Sequence, residues 1–155
     1  MMSTDLKKDI IKDLSTLLNE QQALFSNVNE SEYSVKPAPG KWSRKEILGH
    51  LIDSASNNMQ RFIRGQYESG SSITYDQDIW VRLNGYKEAP LSELITLWFL
   101  LNRQILRIME KMPAGNLEKT SRIGQEDHTL VWLMEDYVRH LKHHLAQINK
   151  DRVVP

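Results

Sequence analysis

The chain has 155 residues, 40% apolar and 26% charged, the balance of a soluble globular domain with room for a real core. Its 20 basic and 20 acidic residues cancel, so the basic excess of a protein built to hold a phosphate backbone is missing and no nucleic-acid partner is expected. There is no cysteine, which excludes disulfides, thiolate metal sites and a cysteine nucleophile and suits a cytoplasmic location.

The first eighteen residues, MMSTDLKKDIIKDLSTLL, carry charges throughout and lack the uninterrupted apolar core of a signal peptide. No stretch reaches the length of a membrane span, so no membrane association is expected. Instead a helical period sets in. Leu6, Ile10, Leu14, Leu17, Leu18, Leu24, Phe25 and Val28 recur at spacings of three and four and form one apolar stripe. Pro37, Pro39 and Gly40 in SEYSVKPAPGK break it.

A second helix starts at Ser43, which with Glu46 makes a capping box ahead of Ile47 and Leu48. Its stripe continues through Leu51, Ile52, Ala55, Met59, Phe62 and Ile63. Pro90 opens a third helix, where a missing N–H costs little. Leu94, Ile95, Trp98, Leu101, Ile105, Ile108 and Met112 follow, and Pro113 and Gly115 stop it. The fourth runs from Thr129, a plausible N-cap, to about Lys150, with Leu130, Leu133, Met134, Tyr137, Leu141, Leu145 and Ile148 at helical spacing.

Four such segments predict an all-α fold, one four-helix-bundle domain over residues 1–155. The connection between helices 2 and 3, Tyr67 to Ala89, is long for a structureless loop. Its part YDQDIWVRLNGY can hold a short helix anchored by Trp80. The stretch KTSRIGQEDH, before the fourth helix, reads as a loose hairpin or an irregular loop. Trp42, Trp98 and Trp132 read as packing residues, and the methionines as core.

Three of the five histidines fall in YVRHLKHHLAQI on the fourth helix. On a wheel the apolar centre lies about 50° from His144, about 90° from His140 and about 150° from His143. His144 then faces inward, His140 lies on the shoulder and His143 points to solvent. His140 and His144, four apart, stack on one face, the spacing by which two imidazoles share a metal. Alone this is a weak motif, and two partly exposed helix histidines are the plain alternative. A third ligand has to come from elsewhere, and His128 lies at least three turns from His144.

His50 sits outside the apolar stripe of the second helix, with Asp53, Ser54, Asn57 and Arg61. A solvated histidine is the simpler reading of its position. Yet this face is short and polar, with few lysines or glutamates, and suits the wall of a wet cleft. Asp53, one turn on, could accept the second N–H of His50 and fix the ring. Arg61 could bind a substrate carboxylate, although a surface salt bridge is the commoner fate of such a residue.

Together, KWSRKEILGHLIDSASNNMQRFIR, YDQDIWVRLNGY and YVRHLKHHLAQI resemble the DinB/YfiT-like superfamily of small metal-binding helical bundles, its bacillithiol-transferase-like branch most closely. The pieces keep the family's order and spacing from Lys41 onward; the third helix matches only in character. The resemblance implies metal ligands at His50, which opens the HLxD segment, and at His140 and His144, with His143 not a ligand. It also implies a cleft at one end of the bundle and often a homodimer.

Three neutral imidazoles leave a divalent ion charged and open to further ligands, which is the catalytic pattern. Zinc, nickel and iron all suit such a set. Two chemistries follow from the resemblance: transfer of a low-molecular-weight thiol, arriving as substrate, to an electrophilic small molecule, and metal-assisted hydrolysis. No protein general base stands out, which favours thiol transfer; Asp53 or Asp76 would have to serve a hydrolase. A non-enzymatic, stress-associated binding or dimerisation module is the third reading. No other cofactor is expected.

Overall fold

The computed structural model describes residues 2–151. Four long helices make the frame: α1 (Met2–Phe25), α3 (Arg44–Tyr67), α5 (Leu91–Lys111) and α6 (Leu130–Ile148). Two short ones, α2 (Glu30–Ser34) and α4 (Gln77–Leu83), lie in the connections that flank α3. The strands β1 (Thr120–Ile123) and β2 (Glu126–Thr129) pair antiparallel just before α6. The bundle expectation holds, and the hairpin corrects the all-α one. Its two-residue turn uses Gly124 at φ +61°, a left-handed conformation that suits glycine.

The helix starts follow local chemistry. The Ser43 side chain accepts from the Glu46 N–H, and the Glu46 carboxylate accepts from the Ser43 N–H at 2.8 Å. Thr129 caps α6 by accepting from the Trp132 N–H. Pro90 stands at the N-cap of α5 and has no side chain to offer. Glu30 of α2 fills that role from a distance, its Oε2 accepting from the Leu91 N–H at 2.8 Å. The short α2 was not legible in the apolar period; Asn29 caps it and Tyr33 is its fully buried anchor.

The core joins the stripes of all four long helices, with Leu14, Leu48, Leu51, Phe62, Trp98, Ile105, Leu130 and Leu141 fully buried. One polar pair spans it. The hydroxyl of Tyr137 donates to Oδ1 of Asn102 at 2.6 Å, and both residues are buried. Helix α3 packs on α5 and α6 and is covered by α2, α4 and β1. It therefore has almost no solvent face, and its polar side is buried too.

The long connection does hold a short helix, but Trp80 is not its main anchor. Val81 is buried at 4% exposure, and Trp80 is half-buried against Tyr75. Asp76 spends its carboxylate on capping α4, accepting from the N–H groups of Asp78 and Ile79. Both bonds end on Oδ1 of Asp76, and the residue is not part of the histidine cluster described below. Trp98 packs in the core as expected, whereas Trp132 is 37% exposed, stacked on His128 and beneath Arg139. Among the described residues, no helix is long and apolar enough to cross a membrane.

Candidate metal centre

Helices α3 and α6 lie side by side, and this contact brings His50 against His140 and His144. One nitrogen from each ring lies within 4.8 Å of the other two. His50 Nε2 and His140 Nε2 are 3.1 Å apart. Two nitrogens bound tetrahedrally to zinc at about 2.0–2.1 Å sit roughly 3.3 Å apart, so this spacing fits a shared ion. The ring centroids are 4.5–5.0 Å apart, with each pair nearly perpendicular.

The other ring nitrogens explain the orientation. Nδ1 of His144 donates to Oε1 of Gln147 at 2.9 Å, which leaves Nε2 its lone pair. Nδ1 of His140 lies 3.4 Å from the Ser54 hydroxyl. His143 points outward and is exposed, as the wheel predicts, with its Nε2 3.4 Å from the Gln147 amide. His128 is engaged elsewhere, stacked on Trp132 and 3.5 Å from Glu126.

His50 is only 1% exposed, so the solvated reading of its place on the wheel does not hold. Burial, and then the neighbouring His140 and His144, push its pKa down to about 3. Burial and His144 bring His140 down to about 4, and burial lowers His144 as well. Three rings held neutral at ordinary pH keep the lone pairs that a cation requires.

The polar side of α3 is equally buried. Asp53, at 2% exposure, accepts from the Tyr86 hydroxyl at 2.6 Å and from the Asn84 amide at 2.9 Å, both at Oδ1. Burial pushes its pKa up to about 6, against the pull of the Tyr86 hydrogen bond. Among the described residues, Arg61 makes no salt bridge. It is buried, its Nε and Nη2 donate to the Ile73 carbonyl and its Nη1 donates to Asn58. That geometry ties the α3–α4 connection down and argues against a substrate role.

A cleft of about 790 Å³ opens beside the histidines, with His144 in its wall. Val35, Pro37, Trp42 and Ile47 supply apolar surface, and Lys41, Lys150 and Asp78 supply charge. Trp42 is thus more than packing: half-buried, it lines the cleft with its ring 5.0 Å from that of His50. Its place two residues after Gly40 and just before the α3 cap is the signal that could have suggested this.

Proton linkage gives the site a signature without metal. His50 and His140 have folded pKa values below the ordinary 6.5, so their contribution to stability is present above that pH and is lost as pH falls. Asp53 acts oppositely between its ordinary 3.8 and about 6, offsetting one of the two imidazoles. Net stability of chelator-stripped protein should fall by about 1 kcal/mol per pH unit below pH 6.5. Thermal melts at about pH 7.5 and pH 5 will test this; a higher melting temperature at the lower pH would contradict it.

A four-helix frame with a buried histidine cluster beside a cleft defines a class of small bundle proteins. The chain belongs to the DinB superfamily, whose family model matches residues 13–148. It is 25% identical over 151 residues to a protein of Halalkalibacterium halodurans provisionally named a metal-dependent hydrolase, covering 93% of this chain and 86% of that one. A similarly named protein of Bacillus mycoides is 23% identical over 144 residues, covering 92% and 83%. The solved structure of Bacillus subtilis YfiT, described as a probable metal-dependent hydrolase with an unusual four-helix bundle topology, matches the fold with a TM-score of 0.82 at 24% identity. That match covers 93% of this chain and 84% of YfiT.

Proposed function

We propose that His50, His140 and His144 hold one divalent ion, zinc, nickel or iron, and that the protein is an enzyme acting through it on a small molecule in the adjoining cleft. The observation that carries this reading is the convergence of three ring nitrogens within 4.8 Å, beside a cleft of small-molecule size that His144 lines. Bound there, the ion would acidify a coordinated nucleophile and stabilise its anion. The chain's own residues keep the imidazoles neutral, orient His144 through Gln147, and offer the apolar wall of Trp42 and Ile47 to the substrate.

The nucleophile we favour is a low-molecular-weight thiol. No carboxylate joins the histidine cluster among the described residues, and a thiol activated by the ion alone needs no protein base. Hydrolysis is the second reading. The names of the relatives favour it, and Asp78 in the cleft wall could receive the proton of an attacking water. A cytoplasmic, homodimeric enzyme would suit either chemistry.

The test is to reload the purified protein with zinc or nickel and assay two reactions side by side. One is conjugation of a low-molecular-weight thiol to a simple electrophile, and the other is hydrolysis of activated esters and amides. Metal-dependent conjugation that His144→Ala abolishes is the expected result. Metal-dependent hydrolysis alone would replace the thiol reading by the second. Metal uptake with neither activity would favour a non-enzymatic binding module.

A further inference from the structure

We propose that Tyr86 and Asn84, at the far end of the connection carrying α4, position His50 through Asp53. The inference rests on the metal-binding reading above. Asp53 is buried and, among the described residues, ion-paired with no basic one, and its two oxygens are treated differently. Oδ1 receives both donors, Tyr86 and Asn84, while Oδ2 is buried without a hydrogen-bond partner among the described residues. Nδ1 of His50 is likewise buried without a partner. Unpartnered buried polar atoms are costly and rare, and two of complementary type on one helix call for a common explanation.

Geometry supplies it. Residues three apart on a helix are neighbours, and helical side chains lean toward the N-terminus. Asp53 is thereby placed on the face of α3 that carries His50, one turn on, and Oδ2 and Nδ1 make no hydrogen bond to each other while the ring is without a cation. Nε2 of His50 faces the other imidazoles. When Nε2 gives its lone pair to a cation, the neutral ring must carry its proton on Nδ1, and that N–H needs an acceptor. Oδ2 of Asp53 is the buried acceptor on the same face that has no other donor, and it would meet that N–H after a small rotation of the ring or through a bridging water. Holding Oδ1 with two donors fixes the plane of the carboxylate and keeps Oδ2 free for this purpose. The carboxylate also offsets part of a charge that three neutral rings leave uncompensated.

Gly49 makes the arrangement possible. A Cβ there would lie 2.2 Å from Cδ2 of Tyr86, so only glycine lets the tyrosine lie flat against α3 and reach Asp53. The connection that carries α4 is in this way wired to the metal centre, although none of its residues belongs to the histidine cluster.

Asp53→Asn separates anchoring from positioning. Its amide oxygen can still accept from Tyr86 and Asn84, but an NH2 group replaces the free acceptor. Zinc affinity, measured by competition with a chromophoric chelator, should fall about 10–100-fold. The ligand-field absorption of cobalt(II)-loaded protein should shift, while the metal-free melting temperature stays near that of the wild type. Tyr86→Phe should show the same spectral change with a smaller loss of affinity. If either variant binds zinc within about twofold of wild type with an unchanged cobalt spectrum, the proposal is overturned while the metal site stands. If the wild-type protein takes up no zinc, both readings fall together.

Discussion

Replacing His50 or His144 by alanine is expected to abolish metal uptake, whereas replacing His143 is expected to leave it unchanged. After reloading with zinc or nickel, wild-type protein should hold about one equivalent per chain, and His50→Ala and His144→Ala less than about one tenth. The contrast follows from geometry. His50 is buried with Nε2 3.1 Å from His140, and His144 is turned into the cluster by Gln147, while His143 faces solvent. Loss of one imidazole from a three-imidazole set leaves two ligands and a hole filled by water. His143→Ala removes an exposed ring and a weak contact to Gln147. Elemental analysis decides the matter. A tenfold loss of metal affinity in His143→Ala would put the ion on the other face of α6, and full occupancy in His50→Ala would remove α3 from the site.

The legible part of this protein was the part governed by period and by caps. Ser43, Glu46 and Thr129 act where the sequence places them, and the wheel separates His143 from its neighbours on α6. A wheel assumes one buried face, and α6 nearly obeys that rule. Helix α3 does not, because α2, α4, α5, α6 and β1 surround it. His50, Asp53, Asn57 and Arg61 accordingly read as a solvated face or the wall of a wet cleft when they are interior. Family resemblance, not period, brought His50 to His140 across 90 residues. The partners of Asp53 were illegible for a related reason. Tyr86 lies 33 residues away in a connection whose path no local pattern specifies. The same holds for Arg61, whose long-range partner, beside Asn58 one turn back, is the Ile73 carbonyl and leaves no mark in the sequence.

Gly49→Ala is expected to destabilise the fold, and Gly65→Ala is expected to be nearly neutral, although both glycines lie inside α3. Alanine is favoured over glycine in a helix by about 1 kcal/mol, so both changes begin with a gain. The difference lies in what the new methyl group meets. At Gly65 the contact below 3 Å is a single one, Cδ2 of Leu130 at 2.6 Å, the far end of a side chain that can change rotamer. At Gly49 the methyl would lie 2.2 Å from Cδ2, 2.4 Å from Cγ and 2.9 Å from Cβ of Tyr86. Turning the ring cannot relieve a clash that includes Cβ, so the Tyr86 backbone must retreat. Retreat breaks the hydrogen bond from Tyr86 to Asp53 and leaves a buried carboxylate less well satisfied, which adds to the cost of overpacking. A net loss of about 2–3 kcal/mol follows, or roughly 6–10 °C in melting temperature for a chain of this size. Gly65→Ala should stay within about 2 °C of wild type. Equal melting temperatures for Gly49→Ala and wild type would mean that Tyr86 can leave α3 at little cost, and that Asp53 does not depend on it for its place.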